Sequence, residues 1–117
     1  MAARVSFSRG DIVVATSSGA YGKPRLNLVI QSDLFAGLQS VTVCPLTSDL
    51  REDAPYLRFS SEPNELNGLR QTSQIVIDKI TTLPLSRVSG KIGVCDDNTM
   101  LQVTRALAVF LGVGEVA

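Results

Sequence analysis

Six short runs of alternating apolar and polar residues lie between positions 11 and 94, each cut off by glycine, proline or a polar cluster, and only the segment after Asp96 has helical spacing. Period-two runs of this length bury one face each and need neighbours to cover it. The chain is therefore restricted to a small antiparallel sheet curled into a barrel or half-barrel, with one helix added at the end: an α+β fold.

The runs are Asp11 to Thr16, Arg25 to Gln31, Ser40 to Pro45, Tyr56 to Phe59, Ser73 to Leu83 and Val88 to Val94. The fifth is the longest strand signal, with Ile75, Ile77 and Lys79 alternating against Gln74, Val76 and Asp78. Pro45 should end or kink the third, because proline has no N–H for a ladder. Between them, Ser32 to Phe35 suggests a helical turn, Thr47 to Ala54 a mobile polar loop, and Asn67-Gly68 a turn with positive φ. Asp96 or Asp97 can cap a helix through Thr99 to Leu111 that Gly112 stops, with Met100, Val103, Leu107, Phe110 and Leu111 as its buried stripe.

With 117 residues, 44% of them hydrophobic, the chain has material for one core, so residues 1–117 read as a single domain. Its apolar runs fall far short of the roughly 20 residues that span a bilayer, and no basic segment followed by an apolar run opens it, so the default location is the cytoplasm. Cys44 and Cys95 are too few and too far apart for a disulfide scaffold and read as buried thiols. Eleven Lys and Arg balance eleven Asp and Glu, so any nucleic-acid site must be a local patch. There is no histidine. Proton-transfer chemistry would fall to carboxylates, Arg, Lys, Tyr or hydroxyls, and a metal site or other cofactor is not expected.

Four segments resemble the MazF/PemK/Kid family of toxins: Arg9-Gly10-Asp11-Ile12-Val13, the stretch from Gly22 through Arg25 to Asp33, Val41-Thr42-Val43-Cys44-Pro45-Leu46-Thr47-Ser48, and Gly68 to Ile80 with Ser73 and Asp78-Lys79-Ile80. Their order and spacing run from Arg9 to Gly112. The resemblance implies an SH3-like β-barrel of the CcdB/MazF fold with a C-terminal helix, acting as a homodimer. It further implies metal-independent cleavage of single-stranded mRNA at a short sequence, leaving a 2′,3′-cyclic phosphate and a 5′-hydroxyl. A cognate antitoxin with a disordered acidic tail would silence the toxin.

That reaction needs a 2′-hydroxyl deprotonated, charge on the phosphorane stabilised and the leaving 5′-oxygen protonated. By resemblance, Arg25 matches the family's catalytic arginine, and Thr47 and Ser48 its phosphate-holding Thr-Ser. Asp78 matches an acidic residue that some members place near the scissile bond. Two other family acid/base positions hold Ala20 and Val76 here. For RNA contact, Tyr21 and Lys23 on the first loop and Arg51 on the second can stack a base and neutralise phosphates, and Gln74 can read a base edge. Each also has an ordinary structural reading as a solvated surface residue or turn former. The rivals are a gyrase poison like CcdB, which this chain's lack of any Trp disfavours, and a degenerate toxin that only binds its antitoxin.

Overall fold

The six strand signals become seven strands, because the longest is broken in two. In the computed structural model, which describes residues 6–16 and 22–115, the strands are β1 (Asp11–Ala15), β2 (Arg25–Val29), β3 (Ser40–Thr47), β4 (Arg58–Ser61), β5 (Ser73–Val76), β6 (Thr81–Pro84) and β7 (Val88–Val94), followed by helix α1 (Asp97–Phe110). Every pairing is antiparallel, in the order β4-β5-β3-β2-β1-β7 with β6 also beside β3. Among the described residues no ladder joins β7 back to β4 or β6, so the curled sheet stays open along one seam.

Strand β3 explains both departures from the sequence pattern. Its first half pairs with β6 through Ser40↔Pro84 to Val43↔Thr81, and its last two residues pair with β5 through Leu46↔Ile75 and Thr47↔Gln74. Between these ladders the register moves by three residues, and the three residues Ile77–Lys79 form a 3-10 turn that takes up the excess. Asp78 therefore sits on a turn, not on a strand face. Pro45 does not end β3: it lies opposite Asn27 of β2, and on β3's other side it falls in the gap between β6 and β5, where no ladder bond is lost. The fourth strand also starts later than expected, leaving Tyr56 in a preceding turn at 83% exposure.

The central strands are buried on both faces. Ile12, Leu28, Cys44 and Leu46 point to one core cluster with Ile75, Ile77, Val103 and Leu107, and Val13, Val29, Val41 and Val43 to another with Leu83. Two register shifts between β1 and β7 mark bulges, which sharpen twist and help the sheet wrap. The Arg9-Gly10-Asp11 opening is structural. Arg9 donates from its guanidinium to Ile30 O and Thr104 Oγ1, while the buried Asp11 carboxylate accepts from Ser8 N (2.9 Å) and pairs with Lys91 Nζ (3.1 Å).

The helix obeys its end signals. Asp96 is the N-cap, its carboxylate accepting from Thr99 N (3.0 Å) and Thr99 Oγ1 (2.8 Å). At the other end Gly112 takes φ 69°, with Gly112 N donating to Val109 O and Val113 N to Ala108 O, the paired bonds of a Schellman stop. The stripe is narrower than its spacing suggests: Val103 and Leu107 are buried, whereas Phe110 and Leu111 are exposed. Phe110 lines an open apolar groove of about 520 Å³ with Tyr56, Phe59 and Val109.

Hydrogen bonds from Thr99 hold the Asp96 carboxyl below the usual carboxylate range. Its contribution to stability is complete above the unfolded-state value near 4 and is lost as pH falls through the lower folded value. Asp96→Ala should cost about 1 kcal/mol at pH 7 in a denaturant titration. Asp96→Asn should keep most of the cap while flattening the acid limb of the stability curve. An unchanged acid limb in Asp96→Asn would remove the carboxylate from that account.

Candidate active site

The site forms where the central strands part. Strands β2 and β3 pair through Val29↔Val43, Leu28↔Cys44 and Asn27↔Pro45. Carried two residues further, that register sets Arg25 across from Thr47 at the splayed end of the sheet. The opposite wall comes from the segment between β4 and β5, whose shape is dictated by Asn67. That side chain, 1% exposed, accepts at Oδ1 from Leu69 N (2.9 Å) and Asn64 N (3.1 Å), and donates from Nδ2 to Glu62 O (2.7 Å). Gly68 then turns the chain with φ 69°, pressed so close to β7 that a Cβ would lie 2.3 Å from Ile92 O. From the other side, a Cβ on Gly93 would lie 2.3 Å from Asn67 O.

Between these walls lies a cleft of about 700 Å³. Arg25 and Leu26 enter it from β2, and Leu46, Thr47 and Ser48 from the end of β3. Leu69, Arg70, Gln71 and Ser73 enter it from the far wall. Its lining holds two guanidiniums, three hydroxyls and one amide, but no carboxylate among the described residues. Neither Arg25 nor Arg70 has an ion pair among the described residues. In a chain with no net charge, this is the local basic patch that an anionic ligand requires. Arg25 also borders a smaller groove of about 280 Å³ with Asn27, Pro45 and Lys79, so its guanidinium stands on the ridge between two depressions.

The structure thus brings Arg25, Thr47 and Ser48 together and separates Asp78 from them. Asp78 is exposed on the 3-10 turn and is absent from the cleft lining. Gln74 is not available to read a base. Its amide is 7% exposed, donates to Arg51 O (2.9 Å) and accepts from Arg51 N (2.9 Å) and Arg58 Nη1 (3.2 Å). It serves as a staple for the loop after β3, which Arg58 also holds through Asp49 O (2.8 Å). The polar loop from Thr47 to Ala54 is thereby tethered at two points. Arg51 is exposed on it and Lys23 is exposed just before β2. Tyr21 and Ala20 lie outside the described residues.

Arg70 and Gln71 are the cleft residues that sequence reasoning missed. The turn at Asn67-Gly68 was legible, but nothing local says that the residues after it face Arg25. The cysteines supply no chemistry: burial pushes Cys44 up to about 12 and Cys95 to about 11, so both remain thiols at neutral pH. Among the described residues, no group of three or more cysteine or carboxylate side chains gathers that could hold a metal ion.

A curled antiparallel sheet closed off by one C-terminal helix, with a cationic, hydroxyl-lined cleft at its splayed end, is the setting the family resemblance implied. The chain belongs to the PemK/MazF family, matching the PemK-like, MazF-like toxin of type II toxin-antitoxin systems over residues 8–111. Within that family it is 46% identical over 106 residues to the probable endoribonuclease MazF of Mycolicibacterium smegmatis, covering 90% of this chain and 96% of that protein. Its fold is that of Mycobacterium tuberculosis toxin MazF-mt6 (TM-score 0.74, 22% identity, 90% of this chain and 99% of that one). It also matches a mycobacterial endoribonuclease solved with its cognate antitoxin (TM-score 0.78, 20% identity, 95% and 100%) and MazF in a MazE-MazF complex from Deinococcus radiodurans (TM-score 0.74, 20% identity, 92% and 98%).

Proposed function

We propose that this chain is a toxin that cuts single-stranded mRNA at a short sequence, without a metal, and is silenced by its antitoxin. The observation that carries the reading is the meeting of Arg25, Thr47 and Ser48 in one cleft free of carboxylates, in a chain 46% identical to a protein named a probable endoribonuclease. In the reaction, the ribose 2′-oxygen bonds to the adjacent phosphorus and passes its proton to solvent water. The phosphorus–5′-oxygen bond breaks and that oxygen takes a proton from solvent water, leaving a 2′,3′-cyclic phosphate and a 5′-hydroxyl. Arg25 donates two hydrogen bonds to the phosphate as its charge grows, and Thr47 and Ser48 hydroxyls fix its remaining oxygens. With no imidazole and no lining carboxylate, the cleft accelerates the reaction chiefly by electrostatic stabilisation and orientation.

The reading includes action in the cytoplasm, a homodimer, and an antitoxin with an acidic, disordered tail. The apolar groove beside α1 offers either protein partner a surface to bury, and the cationic cleft offers an acidic tail a place to compete with RNA. Purified protein should cut a synthetic single-stranded RNA library in excess EDTA, yielding fragments that a kinase can label at the 5′ end without prior dephosphorylation. Fragments bearing a 5′-phosphate would exclude the cyclic-phosphate route. RNA left intact by correctly folded protein would favour a toxin that only binds a protein target.

A further inference from the structure

The cleft holds a second cation for which neither the family pattern at Arg25 nor the Thr-Ser turn accounts. We propose that Arg70 binds the phosphate next to the scissile one, and so sets how the RNA backbone is threaded through the cleft. The inference rests on the endoribonuclease reading and deepens it.

Three observations carry it. Arg70 lines the same cleft as Arg25 but comes from the segment between β4 and β5 and not from β2, so the two cations reach the cleft from different elements. Its pedestal is rigid. Leu69 beside it is buried at 6% exposure with its N–H held by Asn67, and Gly68 is wedged against Ile92. Finally, the guanidinium has no carboxylate partner, in a molecule where acids and bases are equal in number. A surface arginine kept only for solubility needs neither a fixed base nor a carboxylate-free cleft. A backbone anchor needs both, since holding the donor in place beforehand lowers the ordering cost of binding. Successive phosphates along a single strand supply anions on both sides of the bond to be cut, and a planar fork suits a phosphate better than an ammonium does.

Contact with a phosphate that does not react strengthens ground state and transition state alike, so its loss should appear in KM and not in kcat. The experiment uses the full-length protein and one cleavable oligonucleotide. Arg70→Ala should raise KM roughly tenfold or more with kcat within about twofold. The salt dependence of binding, measured on the same oligonucleotide with a 2′-deoxy residue at the cut site, should lose a slope of about 0.7, that of one single-strand phosphate. Arg70→Lys should recover much of the slope and less of KM. A methylphosphonate at one position flanking the cut should weaken binding to the wild type and have no further effect on Arg70→Ala. Unchanged KM and slope in Arg70→Ala, with wild-type cleavage intact, would overturn the assignment of Arg70 and leave the nuclease reading standing. A fall in kcat alone would also overturn it, by moving Arg70 onto the reacting phosphate. Absence of cleavage by the wild type would remove both.

Discussion

Arg25→Ala is expected to lower the rate of RNA cleavage by roughly a thousandfold while leaving the protein folded. The size of the effect follows from what the cleft lacks. Among the described residues that line it, Arg25 and Arg70 are the charged ones, and no carboxylate stands by to share the work. Negative charge that builds on the phosphate must then be met by donors fixed in advance. In the proposed reaction Arg25 would supply two of them from the first residue of β2, whose backbone is held by the ladder with β1 through Ala15↔Arg25. The loss should fall on kcat, because the charge it meets grows only on the way to the transition state. Stability should change by no more than about 0.5 kcal/mol, since the side chain is exposed and makes no ion pair among the described residues. Arg25→Lys should restore only part of the rate: a point charge remains but the two-pronged contact does not. Single-turnover cleavage of one oligonucleotide, followed beside a denaturation curve, checks both halves. A variant that still cuts within about tenfold of the wild type would take Arg25 out of the reaction.

Asn67→Ala should cost about 2–3 kcal/mol of folding stability and damage the cleft at a distance. The truncation leaves Leu69 N, Asn64 N and Glu62 O without the partners they now have, in a segment where Asn67 itself is almost wholly buried. Leu69 N, orphaned in a buried bond, costs about 1–3 kcal/mol, while the part-buried Asn64 N and Glu62 O cost less, and a domain of this size has few such amounts to spare. Function should suffer as well, because the same hydrogen bonds hold Leu69 and with it the wall that carries Arg70 and Gln71. Asn67→Asp offers a graded comparison. It keeps an acceptor for the two N–H groups but loses the donor to Glu62 O, so it should fall between wild type and alanine in urea unfolding. A melting curve for Asn67→Ala that overlays the wild type would show that water replaces the amide at no cost, and would deprive that wall of its organising residue.

The contrast between these two side chains shows how much of the site could be read in advance. Arg25, Thr47 and Ser48 stand out in the sequence only through their match to the family's motif, and the structure sets all three in one cleft. Asn67-Gly68 was legible as a turn, since its positive φ is a local property. Gln74 and Asp78 differ from the sequence expectation for separate reasons. The three-residue register change against β3 turns Asp78 onto a 3-10 turn, whereas Gln74 stays on its strand and the loop after β3 folds back to claim its amide. The helix stripe is shorter than its spacing suggests: spacing marks a face, but only what packs against that face decides which of its positions are covered, and Phe110 and Leu111 stay exposed.

From the order of residues alone came the α+β class, the antiparallel strands and their approximate limits, the caps of the helix and the family. All of these depend on short-range geometry, on period-two or 3.6 alternation, or on motifs a few residues long. What faces what was decided in three dimensions. That β3 serves two partners along one edge, that Gly68 and Gly93 let loop and strand touch, and that Arg70 confronts Arg25 across a cleft all depend on contacts between residues more than twenty positions apart. No local pattern encodes these, because their energy arises only when the sheet has curled and the two walls have met.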